Sequence, residues 1–441
     1  MTQPTFLLSP IKPAIPAQGG AIDVMVRLQA PDQPEGSKAK VTPKRLSLVV
    51  DRSGSMDGQP LQEALRCVGH IAARMTASDR VSIVVYDDKV NVLVPLGPVS
   101  SPDTINRLLS TVQSGGSTDL FGGWEAGAQQ LEGATDGSIS RVILLSDGQA
   151  NHGLVEIDAI EKHCRDWLAK GVSTTTVGLG RAFNENLMIA MARVGGGQQY
   201  YGQTASDLFD SFDEELSLLQ ALYLRQLNLK LIPAPGVIVE PLGLFDQNPD
   251  GTYRLSDLAW GAESWLAVRL HVSPTAAGQS RDLLAATIDG KTLDGQTFTV
   301  HAPMLSLVAT EPAAFDAIQA DEVVQRRLQE VEFAKASLDL ARLVNAGDIV
   351  AARALVNDLE GRFGQHPWLQ AKLGRLRELA ERDPDMMTKE VVFSSRKMSR
   401  RLVARNEIRF SVDETSFDMP AFLRKKSEEG KGRTGPDTPK P

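Results

Sequence analysis

Between Lys44 and about Leu219, short runs of aliphatic and β-branched residues alternate with helix-length amphipathic segments. The strings RLSLVV, RVSIVVY, RVILLS and VSTTTVGLG are strand-length and apolar through most of their extent, the pattern of strands buried on both faces. Pro60–Met75, Thr104–Val112, Leu120–Leu131 and Glu156–Lys170 read as helices. In the first, Leu61, Leu65, Val68, Ala72 and Met75 recur at spacings of four and three, so one face is apolar. Strand, helix, strand, helix predicts an α/β fold: a doubly wound, mostly parallel, Rossmann-like sheet covered on both sides.

The flanks differ in kind. Residues 5–43 and 220–310 hold strand-like pieces such as IDVMVRLQA, LNLKLIPA, GVIVEPL, SWLAVRLHVS and DLLAATIDG, separated by Gly, Pro, Asn and Asp. They predict one β-sandwich built from both sides of the α/β domain, which spans 44–219. Over 311–384 the period changes to helical: Val324, Leu328, Val331, Leu338 and Ala341 mark one helix, Leu355, Leu359 and Phe363 a second, and Leu369, Leu373, Leu376 and Leu379 a third. Between the first two, Gly347 suits a helix C′ position and Asp348 an N-cap. This small helical module resembles a single tetratricopeptide-like unit. Residues 385–441, ending in EEGKGRTGPDTPKP, have the composition of a mostly disordered tail.

A chain of 441 residues has room for two or three such domains. Its 23% charged and 42% hydrophobic residues are those of a globular protein. The net charge of −8 argues against nonspecific nucleic-acid binding by the whole chain, although it hides an asymmetry. Residues 385–441 carry 13 Lys and Arg against 9 Asp and Glu, a local +4, which leaves −12 on the rest. No apolar run has the length of a membrane span, and the first residues lack a signal-peptide pattern, so a cytoplasmic location is expected. Cys67 and Cys164 lie on helix-like segments far from any CxxC spacing, which implies neither a disulfide framework nor a zinc site.

The most informative string is LSLVVDRSGSM. A buried strand ends at Asp51, and Ser53 and Ser55 follow at two-residue intervals with Gly54 between them. In doubly wound sheets ligands bind outside the carboxyl ends of the strands, so these oxygens stand where a site is expected. A second strand ends at RVILLSDGQAN, bringing Asp147 beside the first loop if the two strands are neighbours. The loop GGSTDL supplies Thr118, with Ser117 and Asp119 adjacent. Asp51, Ser53, Ser55, Thr118 and Asp147 form an all-oxygen set with no His or Cys, which suits a hard divalent cation: Mg²⁺ first, Mn²⁺ or Ca²⁺ as alternatives. The bland alternative is a turn whose Ser and Asp cap the next helix. Asp57, Asp87 and Asp88 read as solvated loop carboxylates at the rim.

With these residues the chain resembles a von Willebrand factor A domain carrying a metal-ion-dependent adhesion site. The family's D-x-S-x-S matches Asp51-Arg52-Ser53-Gly54-Ser55, its threonine Thr118 and its later aspartate Asp147. The resemblance implies that the serines and threonine contact the metal directly and that the aspartates often act through water. It covers roughly residues 44–219, and the flanking strands are similar to those of bacterial members and of inter-alpha-trypsin-inhibitor heavy chains. It further implies a non-enzymatic adaptor whose bound Mg²⁺ captures an exposed Asp or Glu of a partner protein. Bacterial relatives work beside MoxR-type AAA+ ATPases, kinases or other operon partners.

Two other functions stay open: a metal-dependent hydrolase, and a structural or surface-binding protein exported without a signal peptide. Hydrolysis needs a general base or nucleophile near the metal. His70 and His163 fall within helices, His271 and His301 within the sandwich pattern, and His366 opens the last helix. Only His152 lies near the expected site, without an evident orienting partner. There is no G-x-x-x-x-G-K-[ST] loop, and GLGRAF lacks the third glycine of a dinucleotide fingerprint.

In the tail, Asp418, Met419, Pro420, Ala421, Phe422, Leu423 and Arg424, followed by two lysines, form an apolar island between charged runs. Asp418 can cap a short helix, Pro420 fits its first turn, and Met419, Phe422 and Leu423 would share a face for docking into a partner's groove. The 418–426 segment also resembles the C-terminal docking peptide of the bacterial division protein FtsZ, which implies an FtsZ-binding division protein as partner. The alternative is that the island packs on this chain's own helical module.

Overall fold

The computed structural model describes residues 3–33, 42–134, 137–147, 149–179, 185–202, 204–245 and 247–364, and beyond these 369–370, 373–374, 376–377, 387, 391, 395 and 403–404. The chain divides into two compact units. One is formed by residues 38–220 with 293–295; the other by 1–37, 221–292 and 296–441. The expected tail motif, from Asp418 to Arg424, lies outside the described residues.

The chain opens with β1 (Thr5–Pro10), β2 (Ala14–Pro16) and β3 (Gly20–Gln29), which belong to the second unit. The first unit follows in the order β4 (Lys44–Asp51), α1 (Gln59–Ala73), β5 (Arg80–Tyr86), β6 (Val90–Pro98), α2 (Pro102–Leu109), α3 (Leu120–Gln130), β7 (Ile139–Ser146), α4 (Ile157–Ala169), β8 (Val172–Leu179), α5 (Glu185–Val194), β9 (Gly196–Gly202) and α6 (Ala205–Gln220). Its six strands lie in the order β6-β5-β4-β7-β8-β9, all parallel to their neighbours except β6, which pairs antiparallel with β5. Every residue of β4, β7 and β8 except Arg45 is buried, the expected state of central strands with helices on both faces. The chain passes from β4 to β5 on one side and then returns to add β7 on the other, so the sheet's switch point falls between β4 and β7.

Helix α3 can lie close on this sheet because it is glycine-rich. A Cβ on Gly123 would stand 2.3 Å from the Tyr86 ring, and one on Gly127 2.3 Å from Val49 Cγ2. Both strand residues sit in the core that Trp124, Leu120, Val142 and Leu144 complete.

The second unit continues with β10 (Leu222–Pro233), β11 (Val237–Leu242), β12 (Tyr253–Arg254), β13 (Leu258–Ala259), β14 (Ala262–Val272), β15 (Ser280–Thr292), β16 (Thr297–His301) and β17 (Leu305–Thr310). Then come α7 (Pro312–Ala317), α8 (Glu322–Asn345), α9 (Ile349–Phe363) and the short β18 (Val403–Ala404). One sheet runs β1-β3-β14-β11 with β18 beside β14; the other runs β12-β10-β15-β17-β2, with β13 on β10 and β16 on β15. Alternate residues are fully buried on both: Ile22, Val24, Val26 and Leu28 on the first, Leu227, Leu229, Leu284 and Ile288 on the second. That alternation marks the inner faces of a two-sheet sandwich.

Strand β3 pairs with β14 along its whole length, so the early and late pieces of chain make one sheet. The other face of that sheet receives α8, whose Val324, Leu328 and Val331 pack on Met25, Trp265 and Ala267. As the sequence reading expects, Gly347 takes a left-handed φ of +73° and Asp348 caps α9 by accepting from Ala351 N–H at 3.0 Å. Leu369, Leu373 and Leu376 join Phe333, Leu359 and Phe363 in the helical core. Among the described residues no helix is long and apolar enough to cross a membrane.

Candidate metal centre

Asp51 is the last residue of β4 and Asp147 directly follows β7, two adjacent parallel strands whose register sets Val50 opposite Leu145. The sheet therefore brings the two aspartates to its switch point. The Asp51 carboxylate is fully buried, and both oxygens are held: Oδ1 accepts from Ser53 N–H at 2.9 Å and Oδ2 from the Ser146 hydroxyl at 2.6 Å. Burial raises the Asp51 pKa above the usual carboxylate value; the Ser146 and Ser53 hydrogen bonds oppose that rise and the nearby charge of Asp147 adds to it.

A 3₁₀ turn at Gly54–Met56 follows, in which the Ser53 and Ser55 hydroxyls lie 3.2 Å apart. Ser53 is buried and Ser55 exposed. Neither hydroxyl caps the turn or the next helix: Ser53 makes no side-chain cap bond, and α1 has Gly58 at its N-cap. The capping alternative therefore does not hold for these serines.

Backbone hydrogen bonds tie the three loops together. Gly54 N–H donates to Gly116 O at 3.1 Å and Gly115 N–H to Arg52 O at 2.9 Å, joining the first loop to the second. Thr118 N–H donates to Asn151 Oδ1 at 2.8 Å, while Thr118 O accepts from the N–H groups of Asn151 (3.2 Å) and His152 (3.1 Å), joining the second to the third. Thr118 is buried, and Asp147, 6% exposed, accepts from Gln149 N–H. Asp119, the neighbouring candidate, instead caps α3 by accepting from Gly122 N–H at 2.9 Å.

Among the described residues, no group of three or more His, Cys, Asp or Glu could hold a metal. The candidate residues on the three loops offer two carboxylates and three hydroxyls, and the chemistry of this oxygen set fits a hard divalent cation.

One sequence expectation is corrected. Asp87 is not a solvated rim carboxylate; it is buried, pairs with Arg52 at 2.8 Å and accepts from Lys89 N–H at 2.8 Å. The Arg52 guanidinium and the Lys89 N–H hold its carboxylate inward, while Asp88 and Lys89 of the same loop are exposed. Asp57, which accepts from the Ser114 hydroxyl, and Asp88 are exposed. His152 is also exposed, whereas His70 stacks on Phe209 and bonds Asp213 at 3.0 Å, a structural role. Ser146 and Asn151 escape sequence reasoning: the first reads as one more strand residue, and the second lies beyond the motif.

Comparison with known proteins bears on the domain and its fold. Residues 46–215 match the family model of the von Willebrand factor type A domain. An uncharacterized protein of Synechocystis is 24% identical over 54% of this chain and 59% of its own length. The uncharacterized protein YfbK of Escherichia coli is 29% identical over 39% of this chain and 30% of its own. The human inter-alpha-trypsin inhibitor heavy chain H4 is 25% identical over 64% of this chain and 29% of its own. The chain thus matches less than two thirds of the length of each of these relatives. Among solved structures, a von Willebrand factor type A protein from Catenulispora acidiphila superposes with a TM-score of 0.66 at 16% identity, covering 90% of this chain and 97% of that one. The ArnB paralog VWA2 from Sulfolobus acidocaldarius does so with a TM-score of 0.58 at 16% identity, covering 90% and 99%. These likenesses extend the shared fold beyond the α/β unit. Residues 46–215 form a von Willebrand factor type A domain.

Proposed function

We propose that this chain is a cytoplasmic, non-enzymatic adaptor that captures an acidic side chain of a partner protein through a divalent cation held by Asp51, Ser53, Ser55, Thr118 and Asp147. Von Willebrand factor type A domains typically serve metal-dependent protein–protein interaction. The observation that carries the reading is the cross-bonded set of three loops at the ends of β4 and β7, whose two motif serines are not used in capping. A bound Mg²⁺, or Mn²⁺ or Ca²⁺ in its place, would supply a Lewis-acidic position for an outside carboxylate oxygen. Asp51 and Asp147 offset its charge. The buried Ser53 and Thr118 and the exposed Ser55 would supply neutral hydroxyl oxygens.

Affinity purification with and without EDTA tests the proposal. Partner capture should require the ion and be lost in Asp51→Ala, with the melting temperature in EDTA close to that of the wild type. Capture that survives both treatments would rule out a metal bridge, and substrate turnover lost in Asp51→Ala would establish the hydrolase instead. MoxR-type AAA+ ATPases and kinases are the partner classes to examine first.

A further inference from the structure

Below the loops, the chain holds a group that the metal-binding motif does not use. Tyr86, the last residue of β5, is fully buried, and its hydroxyl has no hydrogen-bond partner among the described residues. A buried, unpartnered hydroxyl is costly and calls for an explanation. Tyr86 lies opposite Asp51 in the parallel register of β4 and β5, and Arg52 N–H donates to its carbonyl at 2.8 Å. Val50 stands opposite Leu145, so the register places Tyr86, Asp51 and Ser146 in one row across β5, β4 and β7. The ring cannot retreat on its α3 side, because Gly123 is packed against it. Ser146, at the end of β7, donates its one proton to Asp51 Oδ2 at 2.6 Å, and a hydroxyl oxygen that donates is also an acceptor.

We infer that Tyr86 and Ser146 form a hydroxyl relay that positions the Asp51 carboxylate for the cation: Tyr86 donates to Ser146 and Ser146 donates to Asp51 when the site is loaded. The inference rests on the metal reading given above. The relay holds Oδ2 from below, while Ser53 N–H holds Oδ1 from the loop, so the carboxylate cannot swing as the cation's charge draws it upward. Tyr86 and Ser146 are positioning residues that contact Asp51 and not the cation. Groups in this second tier around a metal typically change its affinity by about 10–100-fold.

Calorimetric titration of the full chain with Mg²⁺ and with Mn²⁺ tests the relay, alongside the near-ultraviolet difference spectrum of the same titration. Ser146→Ala should weaken both ions by roughly tenfold or more and Ser146→Thr, which keeps the donor, should restore binding. Tyr86→Phe should weaken binding by several-fold and abolish the tyrosine difference band that the wild type gives on loading, while melting in EDTA at or above the wild-type temperature. A merely structural Tyr86 would leave affinity and difference band unchanged in the wild type and variant alike. Wild-type affinity in Ser146→Ala or in Tyr86→Phe overturns the relay. A wild-type protein that takes up neither ion overturns the metal reading itself, a separate and distinguishable result.

Discussion

Lys44 and Asp79 are both fully buried and 3.0 Å apart, and Lys44 N–H also donates to Asp79 at 2.8 Å. Burial alone would raise the Asp79 pKa, but the N–H groups of Thr76 and Lys44 and the Lys44 ammonium outweigh it and hold the carboxyl below its usual value. A depressed folded pKa stabilises the protein at neutral pH and ceases to do so as pH falls through that value, below about pH 4. Urea unfolding across pH 7 to 3 should show this loss. Asp79→Asn should flatten that part of the profile and cost about 3–5 kcal/mol at pH 7, because it strands a buried ammonium. The thiols give a simpler expectation. Burial, and next the charge of Glu63, pushes Cys67 up to about 12, and burial pushes Cys164 well above the ordinary thiol value. Native protein at pH 8 should therefore resist iodoacetamide at both positions, and both should react in urea. Mass spectrometry of the alkylated chain counts them. The motif residues are legible in sequence because their spacing places oxygens at strand ends. Ser146 and Tyr86 are not, because a hydroxyl ending a buried apolar strand looks the same whether it faces a carboxylate or a helix.

The strands β4, β5, β7 and β8 stand out in the sequence as runs buried on both faces, and α1 through its apolar spacing. The edge strands do not. β6 has valines enough, but it carries Pro95 and Pro98 and is half exposed, and β9 opens with two glycines and has no β-branched residue, so neither reads as a continuous buried run. The glycines of α3 likewise weaken a helical reading, yet they are what lets the helix approach β4 and β5. Gly127→Ala should push its new methyl into Val49 and lower stability by about 1–3 kcal/mol, read as a reduced urea midpoint with an unchanged slope. The same substitution at Gly361 of α9, where nothing stands within 4 Å, should be neutral or slightly stabilising. Asp348→Ala, which removes the α9 cap, should cost about 1 kcal/mol.

On the scale of the whole molecule, a metal that binds only the folded state should raise its stability by about 2.7 kcal/mol at a hundredfold excess over its dissociation constant. EDTA should reverse that gain, and Asp51→Ala should not show it. A second contact is proposed for the tail. A peptide of residues 410–430, titrated against FtsZ-binding division proteins, should bind saturably and lose that binding with Phe422→Ala; absence of either result ends the mimicry idea. Changes in period along the sequence suggest a division of the chain, whereas the pairing of β3 with β14 follows from three-dimensional register that no local pattern encodes. That pairing brings Arg27 to Glu263, 236 positions along the chain. A ribosome adding about 5–20 residues per second leaves the edge of β3 opposite β1 open for roughly ten to fifty seconds before β14 exists. Throughout that interval the α/β unit, whose strands all lie within 44–202, can complete itself. During refolding, pulse-labelled hydrogen exchange should accordingly protect β4, β7 and β8 before β3 and β14. Synthesis thus leaves one long edge of β3 open while the α/β unit forms, an interval in which a chaperone can cover it.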